Sequence, residues 1–516
     1  MLARQRAMQP PPSEGGAPAR RRSGLAARLL DWRLPPIETY PSVVAFAQTI
    51  AGRLALFALF AGMMKLVARG MWTETGGLWL VLTIAAAWVS LAGRHRHRVL
   101  LACTAMLLAY APGWFNYGAV SSMIQQENVA GSVHPWYLRS GTLMACVPLA
   151  AIAIYLARRY RGHALGRRPV LAQHVLYLCL LGLAASHLLH GLQQVLLWSM
   201  TATFSAYFWY LAYALMDQRH REPAPGLLQF ATFNPFAWSA LVPMGKGAAN
   251  WRSVEAVTAE ELAVTQLKAL KLLVWAFVLK LVLWLFRTIV YGKLGVPPLD
   301  AAFERFLRGG DVPMPYGLFS VVANFPEQLL IMALWGHVII ATARLAGFRL
   351  LRNTCRPLAS RTIAEFWNRY YYYFKELMVD VYFYPAYVRW FKRHPRLRLA
   401  FATFMAAGVG NFFFHFIRDN QVVAKFGLLE AVIRAQTYAF YCAVLVAGIV
   451  VSQLRVRQPD AGAGWWRGRC VPALGVALFF CFLSFFDGPY RHVTLTQHFA
   501  FLFKVFGLDR WMQTFG

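Results

Sequence analysis

The sequence predicts an all-α, polytopic membrane protein of about ten or eleven transmembrane helices, with re-entrant and interfacial helices between them. Three observations predict it. Hydrophobic residues make up 58% of the 516, and mean hydropathy is +0.43. Charged residues make up only 14%, against ~25% in soluble domains. Apolar runs of about 20 residues, enough to cross a bilayer as one helix, recur along the chain with short Arg clusters between them.

The first 41 residues are rich in Arg, Pro, Gly and Ala, a composition that predicts a disordered, basic cytoplasmic tail. Arg20, Arg21 and Arg22 precede no short apolar core with a small-residue cleavage site, so no signal peptide is expected. Residues 42–225 read as a first group of transmembrane helices. Spans are expected at about 43–68, 75–92, 99–119, 138–157, 170–190 and 198–216. Further spans follow at 264–290, 317–342, 398–417, 427–452 and 470–488. Residues 226–420 form a distinct central unit, and 421–516 a C-terminal group of spans and a tail.

The loops set the orientation. Arg94, Arg96 and Arg98 follow the second span, Arg158 to Arg168 the fourth, Arg219 and Arg221 the sixth, Arg344 to Arg361 the eighth, and Arg455 to Arg469 the tenth. Cytoplasmic loops carry the Lys/Arg excess. A cytoplasmic N-terminus is therefore expected. The same distribution accounts for the net charge of +30. Nucleic acid is not an expected partner, because no basic domain stands apart from the spans. Membrane lipids are.

Two stretches do not read as simple spans. Residues 226–250 are apolar but broken by Pro235, Pro243, Gly245 and Gly247. Such backbone at membrane depth must be buried in protein or line a cavity. Residues 360–395 mix charge with Trp367, Tyr370 to Tyr373, Phe374, Tyr382, Tyr384 and Trp390. That pattern predicts one or two amphipathic helices lying along the cytoplasmic face.

Ionisable residues at membrane depth mark functional sites by default. The candidates are Arg53, His174, His187, His190, Glu327, His337 and His415, with Lys268, Lys271 and Lys280 in the seventh span. His187 and His190 share a helix face but have no third ligand nearby, so no metal is expected. Arg53 is expected to pair with Glu327 or to extend toward the headgroups. The seven cysteines are scattered, most of them in apolar runs, and predict neither a disulfide framework nor a zinc site. His415 stands out. It sits in Asn411-Phe412-Phe413-Phe414-His415-Phe416-Ile417-Arg418-Asp419, a lone imidazole in an aromatic wall beside a charged pair. Neutral imidazole can take a proton from a hydroxyl near neutral pH. A buried structural histidine is the competing reading.

The order of features over 226–420 resembles the membrane-bound O-acyltransferase superfamily, nearest its branch of alginate O-acetylases and teichoic-acid D-alanyl transferases. The resemblance rests on Gly347-Phe348, Asn353, Arg356-Pro357, Glu365-Phe366-Trp367, Arg369, Asp380 and Pro385. Upstream lie Phe233-Asn234-Pro235 and Pro243, and downstream His415. The chain departs from the family in four places. Tyr371 replaces the His or Asn that follows the Trp-rich motif, Phe414 and Phe416 flank His415 in place of Trp and Gly, and His337 replaces an acidic residue.

The resemblance implies acyl transfer from a thioester donor, acyl-CoA or an acyl-carrier protein, to a hydroxyl of a glycan or lipid-linked acceptor. No bound cofactor is implied, and an extracytoplasmic partner protein is. His415 would be the general base. Asn411 would orient it or donate to the oxyanion, and Tyr371 would donate from the other wall. Trp367, Arg369, Lys375, Asp380 and His337 would bind substrate, the cations holding the donor's phosphates. A tunnel past His415 would join donor and acceptor sides, with Phe366-Trp367 and His415 bordering one cavity. Two other classes stay open. One is a proton-coupled transporter or flippase using the intramembrane His and Glu. The other is a non-catalytic relative that binds lipid or a partner.

Overall fold

The computed structural model describes residues 34–70, 77–110, 117–131, 134–220, 222–237, 241–455, 466–488 and 493–508. Among them the chain is mostly helical, with one isolated antiparallel bridge between Glu255 and Phe348 and no strand. Among the described residues, seven helices are long and apolar enough to cross a bilayer: Ile50–Ala68, Trp136–Arg159, Ala259–Lys293, Met314–Leu345, Pro395–Arg418, Gln436–Leu454 and Trp466–Asp487. The protein is therefore an all-α, multi-pass membrane protein.

The remaining expected spans take other forms. Helices Leu78–Leu91 and Arg96–Tyr110 have 14 and 15 residues, about 21–22 Å each, short of a ~30 Å hydrocarbon layer. They form one pair bent by 119°, turned at Gly93, whose φ of 52° favours glycine. Pro169–Ala185 is also short, at 17 residues.

Helix Gly191–Asp217 has 27 residues and the length to cross. However, it buries Gln194, Ser199, Thr201, Thr203 and Ser205 and serves as the polar spine of the bundle. Buried polar groups need partners, and these have them. Thr201 and Thr203 donate to carbonyls four residues back, and Ser199 bonds Thr142 at 2.7 Å. Gln194 donates to Ala184 at 2.7 Å and Ser205 to Ile417 at 2.5 Å.

The N-terminal region differs from expectation in two ways. Most of the expected tail, residues 1–33, lies outside the described residues. Residues 34–41, expected to be disordered with it, contain the turn Ile37–Thr39, and Glu38 pairs there with Lys271. The expected span 43–68 is broken at Thr49, which ends Pro41–Gln48 and caps Ile50–Ala68 by accepting from Gly52 N at 3.0 Å. Lys280, inside the seventh expected span, donates to the carbonyls of Leu66, Val67 and Arg69. It satisfies acceptors that a helix end otherwise leaves open. Glu327 pairs with Arg287 at 2.7 Å and with Tyr291. The expected Arg53–Glu327 pairing is thus replaced by partners one helix away.

The long helices Ala259–Arg287 and Met314–Leu345 pack antiparallel. Gln266 donates to Leu345 O at 3.0 Å near one end, and Arg287 meets Glu327 toward the other. A reciprocal cap, Thr258 with Glu261, starts the first of them. At this end Arg96 bonds Glu255 at 3.0 Å and Arg349 bonds Glu261 at 2.8 Å. A side chain on Gly347 would meet Arg96, and one on Gly247 would meet Tyr213. The basic segments after residues 91 and 345 therefore share one end of the bundle with the end of Gly191–Asp217.

The broken stretch is largely buried over 229–236 and 241–248, with φ near +60° at Asn234, Phe236 and Lys246 and Phe233, Phe236, Val242 and Met244 in the core.

Residues 360–395 correct the expectation of one or two helices lying on a surface. They form Ile363–Tyr370, Tyr372–Met378, a π-helical turn Val379–Phe383 and Tyr384–Arg389. The middle of the run, Tyr373, Phe374, Glu376, Leu377 and Met378, is buried. The loop before it clamps the break. Cys355 N donates to Arg369 O at 2.7 Å, Thr354 to Tyr370 O at 2.8 Å, and Tyr372 N to Asn353 O at 3.0 Å. Of the aromatic side chains that suggested an interfacial girdle, Tyr373 and Phe374 are buried, Trp367, Tyr370 to Tyr372, Tyr382 and Tyr384 are half-buried, and Trp390 stays exposed.

Candidate functional site

The span Pro395–Arg418 holds the site because its middle is wound as a π-helix, Phe404–Gly410. π-helical turns are rare and cluster at functional sites. Small residues let neighbours approach there. A Cβ on Gly410 would lie 2.4 Å from Tyr382 Cδ2, and one on Gly408 would lie 3.2 Å from Val446 Cγ2. Tyr382 belongs to the second π-helical turn, so the two face each other. Its hydroxyl is 2.6 Å from His174 Nε2, whose Nδ1 is 2.6 Å from Val170 O. With Nδ1–H donating to the carbonyl, Nε2 accepts from Tyr382.

The next turns place Asn411, His415 and Arg418-Asp419. His415 lies under Tyr438, ring centroids 3.9 Å apart. The Tyr438 hydroxyl donates to Asn411 Oδ1 at 3.2 Å. Arg418 grips Asp419 through two bonds of 3.0 and 3.1 Å. A narrow, partly open cleft of about 30 Å³ is lined by Phe412, His415, Phe416, Asp419, Val422, Val423, Ala431, Ala435 and Tyr438. Two expected members, His415 and Asn411, are thus joined through Tyr438. Asn411 is buried behind that ring and bonds it.

The other expected residues stand elsewhere. Tyr371 stacks on Phe374 at 5.4 Å, and Trp367 lies 5.8 Å from the same ring. Phe374 meets Phe414 edge-on at 4.8 Å. Trp367, Tyr371 and His415 therefore belong to one aromatic chain. Neither Phe366 nor Trp367 lines the cleft, because the rings of Phe374 and Phe414 fill the space between. Those rings also stand where a tunnel was expected. Phe366 packs on Phe480 at 3.8 Å.

Arg369 pairs with Glu365 at 2.7 Å. Lys375 pairs with Glu376 and lies over the Tyr372 ring. His337 is buried, with Nδ1 2.6 Å from Ala333 O.

Asp380 belongs to a separate charged cluster. Lys246 Nζ lies 2.9 Å from its carboxylate and 2.5 Å from that of Glu376, and Tyr213 donates to Asp380 at 3.3 Å. Burial pushes the Glu376 carboxyl up, but Lys246 and Lys375 outweigh it and hold it below the usual range. For Asp380 burial wins and its carboxyl is raised. The cluster pins the broken stretch 226–250 to the short helices of 363–389.

Sequence reasoning missed Tyr438, which carries no local signal. It also missed Lys246, whose charge inside an apolar Pro/Gly stretch was a legible one.

Fold and site together define the class: an all-helical, multi-pass membrane protein with a histidine-bearing cleft against a π-helical span. Compared with known proteins, the chain matches no family model and no curated protein.

Proposed function

We propose that the chain is a membrane-embedded O-acyltransferase, with His415 as general base. The acceptor hydroxyl gives its proton to His415 as its oxygen bonds the acyl carbon of a thioester. The carbon–sulfur bond then breaks, and the departing thiolate takes the proton. The observation that carries this reading is His415 facing an open cleft while Tyr438 and Asn411 fix its surroundings. A base must stand within hydrogen-bond reach of the hydroxyl it serves, and His415 lines the cleft. The likeness of 347–385 and His415 to the membrane-bound O-acyltransferases adds to it.

The donor, acyl-CoA or an acyl-carrier thioester, approaches from the Arg-rich end, cytoplasmic in a bacterial inner membrane, and the acceptor from the opposite side. Phe374 and Phe414 must swing aside for the two to meet. Arg369 and Lys375 already have carboxylate partners, so their role is to shape the entrance. An extracytoplasmic partner protein that presents the acceptor fits the same arrangement.

The test is product formation from a labelled acyl thioester by the purified protein in nanodiscs. His415→Ala should fold and lose about 10²–10⁴ in rate. A folded, fully active His415→Ala would make His415 structural.

A second reading, ion-coupled transport, draws on the Lys246–Glu376–Asp380 cluster, since charges in a membrane protein's interior mark ion and proton paths. Substrate flux into proteoliposomes without acyl transfer would favour it.

A further inference from the structure

The two π-helical turns that face each other at Tyr382 and Gly410 are joined by a helical hairpin. Tyr384–Arg389 leads out of the first turn, residues 390–394 reverse the chain, and Pro395–Thr403 leads into the second turn and on to His415. The reversal is closed by backbone bonds. His394 N donates to Phe391 O at 3.0 Å, and Trp390 N to Ala386 O at 3.0 Å. Phe391 takes a φ of 51° without being glycine, a conformation that persists only where surrounding packing holds it. Its ring meets Phe401 edge-on at 5.2 Å. Arg398 ties the two helices together: it donates to Tyr387 O, and its guanidinium carbon lies 3.9 Å from the centre of the Tyr387 ring.

The hairpin carries charge of one sign. Arg389, Lys392, Arg393 and Arg396 are exposed, and no acidic residue occurs between Asp380 and Asp419. Among the described residues none of the four has an ion-pair partner, whereas Arg96, Arg349 and Arg369 at the same end of the bundle each hold a glutamate. Apolar side chains interleave with the four cations and stay outside: Val388 at 58%, Trp390 at 58% and Leu397 at 48% exposure.

Depth decides what this mixed surface meets. The neighbouring span Gln436–Leu454 has 19 residues, about 29 Å, close to the thickness of a ~30 Å hydrocarbon layer. Its end at Leu454 therefore marks the edge of that layer, and Thr403 bonds Gln453 there at 2.8 Å. Arg396 precedes Thr403 on the same helix and lies about 10 Å farther along it, at the level of the headgroups. Trp favours that level, and clustered Lys/Arg beside a span attract anionic lipid. A nucleic acid would leave Val388 and Leu397 in water, whereas the acyl boundary of a bilayer accepts them. A loop whose charge serves only to set topology during insertion needs neither a closed turn nor outward apolar side chains.

We propose that the hairpin at 388–398 binds the phosphate headgroups of anionic phospholipid in the leaflet at the Arg-rich end, and that the bound lipid steadies the two π-helical turns the hairpin joins. This surface is separate from the His415 cleft and does not depend on acyl transfer.

The test titrates the purified full chain in neutral detergent with phosphatidylglycerol or phosphatidylcholine, near physiological ionic strength, and counts bound lipid by native mass spectrometry. Phosphatidylglycerol should bind tighter by about fivefold or more. The variant Arg389→Gln, Lys392→Gln, Arg393→Gln, Arg396→Gln should lose that preference, and Arg389→Lys, Arg393→Lys, Arg396→Lys should keep it. Changing Arg158, Arg159, Arg161 and Arg168 to Gln removes as many charges from another basic loop and should leave the preference unchanged. If the fourfold variant does not fold, Lys392→Gln, Arg393→Gln at the tip of the turn should still lower the preference by about twofold or more. Amide exchange across Phe404–Gly410 should slow when phosphatidylglycerol is added to the native chain, and not in the Gln variant. Equal affinity for the two lipids, a preference that survives the Gln variant, or an equal loss from the 158–168 loop overturns the proposal. Competition by inorganic phosphate at the lipid's own concentration would mark a site for soluble anions, and tighter binding of polyglutamate would mark one for an acidic protein; either overturns it too. Lipid binding without slower exchange overturns the link to the π-helical turns.

Discussion

Tyr438 lies over His415 with ring centroids 3.9 Å apart and donates its hydroxyl to Asn411 Oδ1 at 3.2 Å. One side chain therefore packs the imidazole and ties it to the residue one helical turn earlier. Tyr438→Phe keeps the ring and removes the bond. A neutral bond contributes about 0.5–1.5 kcal/mol, so the rate should fall roughly two- to tenfold, with the fold intact. Tyr438→Ala also removes the ring and should cost about 3–5 kcal/mol of stability. The check is acyl transfer beside thermal unfolding in detergent. Loss of activity in Tyr438→Phe as deep as in His415→Ala would mean that the hydroxyl acts on the substrate and does more than position His415.

Gly410 precedes Asn411, and Tyr382 occupies the space its side chain would take, Cδ2 lying 2.4 Å from the ideal Cβ position. Tyr382 cannot easily yield, being held by His174 at 2.6 Å. Gly410→Ala should therefore destabilise by about 1–3 kcal/mol, as overpacking does. Gly182→Ala, where nothing lies within 4 Å, is the control and should be neutral or slightly stabilising in its helix. Equal melting temperatures for the two variants would show that the Gly410–Tyr382 contact carries no weight.

Lys246 neutralises two carboxylates, Glu376 at 2.5 Å and Asp380 at 2.9 Å. Removing one partner of a buried ion group leaves uncompensated charge and costs about 3–5 kcal/mol. Lys246→Met should unfold or misassemble the protein. The triple change Lys246→Met, Glu376→Gln, Asp380→Asn should restore most of that loss. Monodispersity and melting temperature in detergent decide it. A stable Lys246→Met with no gain in the triple variant would show the cluster to be solvated and of little structural worth.

How much was legible follows from what each feature depends on. The apolar runs 264–290, 317–342 and 470–488 are local signals, and all three became long helices. The runs 75–92 and 99–119 were equally apolar. Their helices form one pair bent by 119° at Gly93, which hydropathy does not record. The tyrosines at 370–373 satisfied the pattern of an interfacial girdle, yet their backbone bonds to 353–355 draw them inward. His415 was visible as a lone imidazole among aromatic residues. Tyr438 was not, because it reaches His415 only after the chain has turned through two short helices, Asn420–Phe426 and Leu428–Arg434.

The last prediction concerns which end of the bundle faces the cytoplasm. Arg96, Arg349 and Lys246 meet their partners at one end, and Cys355 is exposed in the loop that carries Arg352 and Arg356 there. The opposite end includes the turn where Glu127 accepts from Gly191 N at 2.8 Å. Basic loops stay inside, so the native thiol at 355 should resist a membrane-impermeant maleimide in intact cells and react once the membrane is permeabilised. A cysteine placed at the exposed Gly131 in a Cys355→Ser background should show the reverse. Cys179 is also exposed, but on an apolar helix that presents its thiol to lipid, where a polar maleimide does not reach it. His163→Cys repeats the test beside Arg158, Arg159 and Arg161. Labelling of residues 355 and 163 from outside would invert the topology. It would place the Arg-rich end where acyl-CoA is absent and so remove the proposed donor route while leaving the His415 cleft in place.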